Sequence, residues 1–180
     1  MKIIKWILII IVILVAIPLI TAVFVKKDYS IEREVVINKP KQEVFEYVKF
    51  LKNQNNFSKW AQMDIHMRKT FTGTDGTPGF VSAWDSDSSD VGSGEQEIKA
   101  IKEGEKIDYE IRFKKPFEST SSAYMTTETV NGNQTKVKWS FFGHMSYPMN
   151  LMQVVMDMDK AVGSDLQTGL NNLKGIMEKQ

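Results

Sequence analysis

The sequence contains no cysteine. This absence excludes disulfide bonds, thiolate nucleophiles, cysteine-ligated zinc sites and a cysteine-linked lipid anchor in one step. Histidine is nearly as scarce, with two residues in the whole chain. Because a chain without thiols is stable in oxidising and reducing surroundings alike, the composition leaves the compartment open.

An excess of basic charge is also missing. The chain has 23 Lys and Arg residues against 22 Asp and Glu residues. The residues up to Lys27 hold four lysines and no acid, so the remainder has 19 basic and 22 acidic residues. Phosphate binding requires a net basic face, and no basic stripe interrupts this mildly acidic remainder. We therefore expect no nucleic-acid partner.

One long apolar run lies near the amino terminus. Trp6–Val25 contains twenty residues without a charge, with two lysines on each side. A helix needs about 20 apolar residues to cross the hydrocarbon core of a bilayer, and flanking lysines mark its edges. The pattern predicts a single-pass transmembrane anchor in residues 1–27 and one globular domain in residues 28–180.

A cleaved secretory signal is the alternative explanation of this run. The apolar segment is longer than the about 7–15 residues of a signal core, and Ile20-Thr21-Ala22 is a mediocre cleavage site. We therefore favour an uncleaved anchor. The lysines on the two sides of the run nearly balance, so the positive-inside pattern leaves the side of the membrane open.

The remainder of the chain combines short strand patterns with helical segments. Asn38-Lys39-Pro40 predicts the start of a helix with Asn38 as its N-cap, and a short helical piece follows at 57–60. Apolar and polar residues alternate in seven segments, which predict strands. These segments are 29–37, 67–72, 80–84, 94–102, 107–113, 119–129 and 135–144.

The last thirty residues predict one long amphipathic helix, Asn150 to Lys179. Apolar side chains recur at helical spacing along one stripe. The stripe consists of Leu151, Val155, Met158, Val162, Leu166, Gly169, Leu173 and Ile176. Gly163 and Gly169 weaken such a helix by about 1 kcal/mol each relative to alanine, so we expect them to leave room for the sheet or a ligand. The layout indicates an α+β fold in which a curved antiparallel sheet wraps this helix.

Several short motifs occur in a fixed order along this predicted layout. They are Val35–Pro40 with Glu43–Phe45, Trp60 with Asp64, Gly79–Trp84, Val91–Gly94, Lys115–Ser119, and Met156–Lys160 with Gly163–Leu173. The series resembles the SRPBCC or START-like helix-grip superfamily, and more narrowly its membrane-anchored bacterial polyketide cyclase/dehydrase-like branch. The resemblance implies a helix-grip fold, a bacterial cell membrane, and binding of lipids, hormones or aromatic compounds. Only some members of the superfamily are enzymes, so enzymatic activity stays open.

Inward-facing side chains are expected to line a cavity between the sheet and the last helix. Apolar walls with a few polar groups suit a hydrophobic small molecule or lipid, and no cofactor is implied. A filled core is the alternative at each position. The predicted ligand-binding residues are Trp60, Phe80, Trp84, Tyr109, Phe113, Met125, Trp139, Phe141, Val155, Met158 and Val162.

Candidates for catalysis are few. Asp64 and His66 form the strongest acid–base pair, because a carboxylate two residues away on an extended segment can orient an imidazole. Tyr109 could fix a ligand oxygen. For all three the alternative is an ordinary surface or rim position. The acidic loop at 85–90 lacks the spacing and the closing glutamate of a calcium loop, so no metal site is predicted.

Two further functions stay open at this point. A cyclase/dehydrase-type enzyme acting on a hydrophobic substrate would need ionisable groups inside the cavity. A protein-interaction module resembling chaperone activators would need a filled interior and an exposed apolar patch. The segment 151–156, which is apolar nearly all round, is either a lid at the cavity mouth or is buried under the loops.

Overall fold

The computed structural model describes residues 2–179 and confirms the predicted α+β fold, with a seven-stranded antiparallel sheet, a long C-terminal helix and an apolar N-terminal helix. The helices are α1 (Lys2–Phe24), α2 (Lys41–Lys49), α3 (Gln54–Phe57), α4 (Lys59–Met63), α5 (Met152–Val155) and α6 (Met158–Met177). The strands are β1 (Asp28–Ile37), β2 (Arg68–Thr72), β3 (Val81–Asp85), β4 (Ser93–Lys102), β5 (Lys106–Lys115), β6 (Ser119–Asn131) and β7 (Gln134–His144). Short 3-10 turns at Leu51–Asn53 and Met149–Leu151 precede α3 and α5.

The first and last strands of the sheet lie side by side. The strand order is β1-β7-β6-β5-β4-β3-β2, and all neighbours are antiparallel. Strand β1 pairs with β7 from Asp28, opposite His144, to Ile37, opposite Thr135. Helices α2, α3 and α4 connect β1 to β2, and α3 and α4 contact α6. The space between the sheet and α6 is therefore closed on one side by this helical connection.

The start of α2 differs from the prediction. Asn38 is not the N-cap, because the helix begins at Lys41 and Pro40 precedes it with an extended backbone (ψ 145°). The Asn38 side chain instead accepts a hydrogen bond from Gln134 Nε2 at 2.8 Å. Asn38 lies two residues before the cap position, and its carboxamide ties the end of β1 to the β6–β7 hairpin.

The predicted single helix at the carboxyl end is wrong in its first part. Met156 has an extended backbone (φ −106°, ψ 128°), which separates α5 from α6. Asp157 is the N-cap of α6, and its carboxylate accepts a hydrogen bond from the backbone N–H of Lys160 at 2.9 Å. An aspartate in this position satisfies one of the free N–H groups of the first turn, so the sequence favours a new helix start there.

The packed core fills one end of the space between the sheet and α6. The C-terminal half of α6 buries Leu170, Leu173 and Met177 there. The facing side chains from the sheet and α2 are all fully or almost fully buried, namely Ile37, Val44, Phe45, Val48, Ile98, Ile107 and Val137. The N-terminal half of α6 is less buried, since Met158 and Val162 are packed on only part of their surface.

Two glycines let α6 approach the sheet closely. A Cβ added to Gly169 would lie 2.8 Å from Cζ3 of Trp139, a core side chain of β7. Gly163 faces the guanidinium of Arg33 on β1 in the same way. That guanidinium binds both carboxylate oxygens of Asp159, at 3.0 and 2.7 Å. The expected room at both glycines is therefore taken by side chains of the sheet.

Helix α1 extends from the domain with its apolar side chains largely exposed. Of the helices in residues 2–179, it is the one long and apolar enough to cross a membrane, by length and composition. Its last turn contacts the domain, because Ala22 is fully buried. The contact is with the 3-10 turn at Met149–Leu151.

We expect Gly169→Ala to lower the free energy of unfolding by about 1 kcal/mol, because overpacking against Trp139 outweighs the gain in helix propensity. Gly175→Ala is the matched control in the same helix, since a Cβ at Gly175 has no neighbouring atom within 4 Å. We expect that variant to be slightly more stable than the parent chain. Thermal unfolding of the detergent-solubilised full chain measures both, and equal shifts in Tm would contradict the close packing at Gly169.

Candidate ligand-binding cavity

A cavity of about 780 Å³ occupies the other end of the space between the sheet and α6. Its walls come from the concave face of the sheet, the α3–α4 region, and the N-terminal half of α6. The residues at its mouth belong to the chain between β5 and β6 and to the segment that follows β7. The predicted hollow between sheet and helix is therefore present.

The packed core gives way to the cavity partway along β5 and β6. On β5, Ile107 and Tyr109 are buried in the core, whereas Ile111 and Phe113 line the cavity. On β6 the inward side chains change from Met125 to the smaller Ala123, Ser121 and Ser119. Small side chains on this central strand cannot reach α6, so the space opposite them stays open.

Aromatic rings make a continuous wall across the sheet. Trp84 meets Phe113 edge to face at 5.9 Å, Phe113 meets Phe141 at 6.5 Å, and Phe141 meets Tyr29 at 6.2 Å. The Trp84 ring reaches Phe113 by lying over Gly94 on the strand between them, where an added Cβ would lie 2.7 Å from the ring. The rings hold one another in place, which gives the cavity a stiff apolar side.

Seven of the eleven predicted ligand-binding residues line this cavity. Five are aromatic, namely Trp60, Trp84, Phe113, Trp139 and Phe141, and two are on α6, namely Met158 and Val162. Binding of a ligand by these residues stays a prediction, but their side chains converge on one space.

The other four predicted residues lie elsewhere. Phe80, Tyr109 and Met125 are at most 2% exposed and belong to the packed core. They point inward as predicted, but they lie at the packed end of the space between the sheet and α6, where no cavity remains. Val155 is 81% exposed, because α6 begins only at Met158 and the preceding turn of helix does not continue its apolar stripe.

Asp64 and His66 do not line the cavity. Both Asp64 oxygens are occupied, by the backbone N–H of His66 at 2.9 Å and by the Ser86 hydroxyl at 2.5 Å. The Ser86 hydrogen bond is the main cause that lowers the pKa of Asp64. The His66 ring is exposed, and neither residue is among those that line the cavity. Asp64 therefore tethers the loop before β2 to the loop after β3, instead of orienting the imidazole.

Tyr109, the third catalytic candidate, is closed off from the cavity. Burial raises the pKa of its hydroxyl far above the ordinary value. Within residues 2–179, neither Tyr109 Oη nor Gln54 Nε2 has a hydrogen-bond partner. The hydroxyl is thus protonated at neutral pH and has no access to a ligand from this position.

The cavity wall also contains polar side chains that the sequence analysis missed, among them Asn55, Lys69, Ser82, Gln96, Glu118 and Ser119. Gln54, Ser58 and Ser121 are all buried and line it. His144 lies at the mouth, and its Nδ1 is 2.6 Å from Oδ1 of Asp28. Asp28 and His144 lie opposite each other because β1 and β7 are neighbours in this register. The sequence gives no local signal for such a pair, because the two residues belong to the first and the last strand.

Methionines dominate the mouth. Met145, Met149, Met152 and Met156 all line the opening, and these four follow one another within twelve residues of sequence. Flexible thioethers adapt to apolar partners of different shapes. Their density in the sequence was a signal for this role. Within residues 2–179, no three His, Asp or Glu side chains are grouped to hold a metal ion.

A family model described as polyketide cyclase / dehydrase and lipid transport matches residues 28–178. The chain belongs to this family. The predicted resemblance to the SRPBCC or START-like superfamily is confirmed by this match. Membership of the polyketide cyclase / dehydrase and lipid transport family supports hydrophobic-ligand binding or a cyclase role in general terms. No curated protein sequence matches the chain.

Solved structures share the fold at low identity. Ara h 8.0201 has a TM-score of 0.55 at 18% identity, and the match covers 85% of this chain and 99% of the other. A protein from Nitrosospira multiformis has a TM-score of 0.56 at 16% identity, with coverages of 83% and 96%. The di-domain ARO/CYC StfQ of the steffimycin biosynthetic pathway has a TM-score of 0.61 at 10% identity, over 85% of this chain and 51% of StfQ. These likenesses establish the fold alone.

We expect Ser86→Ala to raise the pKa of Asp64 toward the ordinary value of a free carboxyl, because the carboxylate loses its strongest donor. A lowered folded-state pKa stabilises the fold above the ordinary carboxyl pKa, and this contribution is lost as pH falls through the lowered value. The variant should therefore lose less stability on acidification. Carboxyl-carbon NMR titration measures the shift, with Asp159 beside Arg33 as the unaffected reference. An unchanged Asp64 titration would contradict the assignment.

Proposed function

We propose that the chain is a membrane-anchored domain that binds a hydrophobic or amphipathic small molecule, a lipid or an aromatic compound, in the cavity between the sheet and α6. Residues 1–27 act as the single-pass anchor, in a bacterial cell membrane, and residues 28–180 form the binding domain. The family match beginning at residue 28 supports this division.

The apolar cavity is the observation that carries this proposal. Its volume of about 780 Å³ falls in the range of about 300–1,000 Å³ that small-molecule sites occupy. Apolar side chains, chiefly aromatic rings and methionines, form most of the wall, whereas buried polar side chains such as Gln54 and Ser121 are few. A ligand with a large apolar body and a small polar part fits this arrangement, since the apolar body gains from leaving water.

The two other functions have less support from the geometry. A cyclase/dehydrase-type enzyme needs ionisable groups placed together at the substrate, but Asp64, His66 and Tyr109 all lie outside the cavity lining. The lining does contain Lys69, Glu118 and His144, which come from three separate parts of the fold: β2, the β5–β6 connection and the end of β7. A protein-interaction module with a filled interior does not fit an open cavity of this size. Binding is therefore the function that the described residues favour.

The test is to identify what co-purifies with the full chain. The protein is purified from its own host in mild detergent and analysed by native mass spectrometry and by solvent extraction. We expect one lipid or aromatic compound at close to one molecule per chain. An empty protein that also fails to bind a panel of lipids and aromatic compounds would overturn the proposal.

A pair of neighbouring substitutions distinguishes the cavity from the rest of the surface. Ser121 points into the cavity, and the next residue, Ser122, is exposed on the opposite face of β6. We expect Ser121→Phe to displace the ligand, because the new ring takes up space in the cavity, and Ser122→Phe to retain it. Ligand stoichiometry by native mass spectrometry is the measurement. Equal retention by the two variants would place the ligand outside this cavity.

A further inference from the structure

The segment that follows β7 is apolar, uncharged and exposed. Met145–Met156 contains twelve residues without a charge, and Asp157 ends it. Val154 and Val155 are 64% and 81% exposed, and the two methionines beside them are also accessible. Exposed apolar side chains concentrated in one short segment are uncommon on a soluble surface, and they indicate a contact with a partner or a membrane.

This segment is bound to the end of α1. Nδ2 of Asn150 donates hydrogen bonds to the carbonyl oxygens of Ala22 at 2.7 Å and Val25 at 2.9 Å. Nε2 of Gln153 donates to the carbonyls of Lys26 at 3.0 Å and Lys27 at 3.2 Å. The carbonyls at a helix end have no partner within the helix, so these two amide side chains satisfy groups that would otherwise need water.

The hydrogen bonds fix the depth of the segment relative to the apolar run. Ala22 lies three residues before Val25, the last residue of the run, a distance of about 4.5 Å along a helix. Asn150 contacts both residues, so it lies at the level where the run ends. A helix that crosses a bilayer places that level at the boundary between acyl chains and head groups. The exposed valines four and five residues beyond Asn150 then lie near the same boundary.

The charges around this level agree with a membrane surface. Lys26 and Lys27 follow the run directly and are exposed. Lysines in this position face the head groups, where they are attracted to anionic lipids. The apolar segment has no charge within it, and charged residues border it, namely these lysines with Asp28 on one side and Asp157 at its end. An uncharged apolar stretch with charges at its edges is the pattern of a surface that inserts shallowly.

We propose that Met145–Met156 is a bilayer-contact surface, so that the cavity mouth opens onto the membrane that α1 crosses and admits acyl-chain lipids from its adjacent leaflet. This inference rests on the proposed function and specifies the source and class of the ligand. The cavity residues Met149, Met152 and Met156 belong to this same segment, so a lipid chain that enters between them stays out of water throughout.

The absence of cysteine permits a direct test with single labelled positions. Val155→Cys and Val154→Cys are made in the full chain, labelled with an environment-sensitive fluorophore, and reconstituted into vesicles of phosphatidylcholine and phosphatidylglycerol. Some vesicles contain lipids that carry a nitroxide quencher near the head-group end of the acyl chain. Both positions are highly exposed, so the substitutions leave the packing intact.

Val130→Cys is the matched control. Val130 is a 52% exposed valine at the far end of β6, next to the β6–β7 turn. Ten paired residues of β7, Thr135 to His144, separate that turn from the end of the strand, a length of about 30 Å. A label there reports on the same domain in the same vesicles, away from the proposed contact.

We expect the labels at positions 154 and 155 to lose most of their fluorescence to the quencher lipids, and the label at 130 to lose none. Absence of quenching at both 154 and 155 would overturn the bilayer contact, even with a ligand bound in the cavity. Equal quenching at 130 and 155 would also overturn it, because the domain would then lie on the membrane without a defined orientation. Quenching at 155 in a protein whose cavity holds no ligand would overturn the proposed ligand-binding function and support only the bilayer contact.

Discussion

The contact between Trp139 and Gly169 is the constraint on which the rest of the domain depends. The indole occupies the space that a side chain on α6 would need, so a glycine is required for the helix to lie against the sheet at this point. Beyond it, the C-terminal half of α6 is packed, and before it the helix lines the cavity. Trp139 also meets Phe57 at 5.7 Å and Trp60 at 6.2 Å, edge to face. Trp139 therefore belongs both to the packed core and to the cavity wall, and it packs against the helical connection between β1 and β2.

The cavity is built by the choice of side chains on one strand and is stiffened by its neighbours. Small inward residues on β6 leave the space, while the aromatic wall beside them prevents collapse into it. An empty apolar space lacks dispersion contacts on one side, so a ligand that fills it restores them and stabilises the folded state by mass action. Binding and stability are therefore coupled through the same surface.

Strand alternation and the family resemblance were sufficient to predict the fold, including the seven strands and the long last helix. The site was predicted only in part. Period-two patterning says which face a side chain is on, so Tyr109 and Phe113 looked equivalent on β5. It does not say how far the opposing helix is, which decides that Tyr109 is core and Phe113 is wall. The role of Asn38 was missed because its partner, Gln134, lies far away in sequence.

The link between α1 and β1 shows why the orientation of the mouth is set by the chain itself. Only Val25–Lys27 separates the two elements, and a free link of three residues would still allow the domain to turn about it. The amide groups of Asn150 and Gln153 bind four carbonyls in and before that link, and the backbone N–H of Met145 binds Lys27 as well. Each bond comes from the segment that borders the cavity. Rotation of the domain away from α1 would break them together, so the axis of α1 and the direction of the opening are held as one unit.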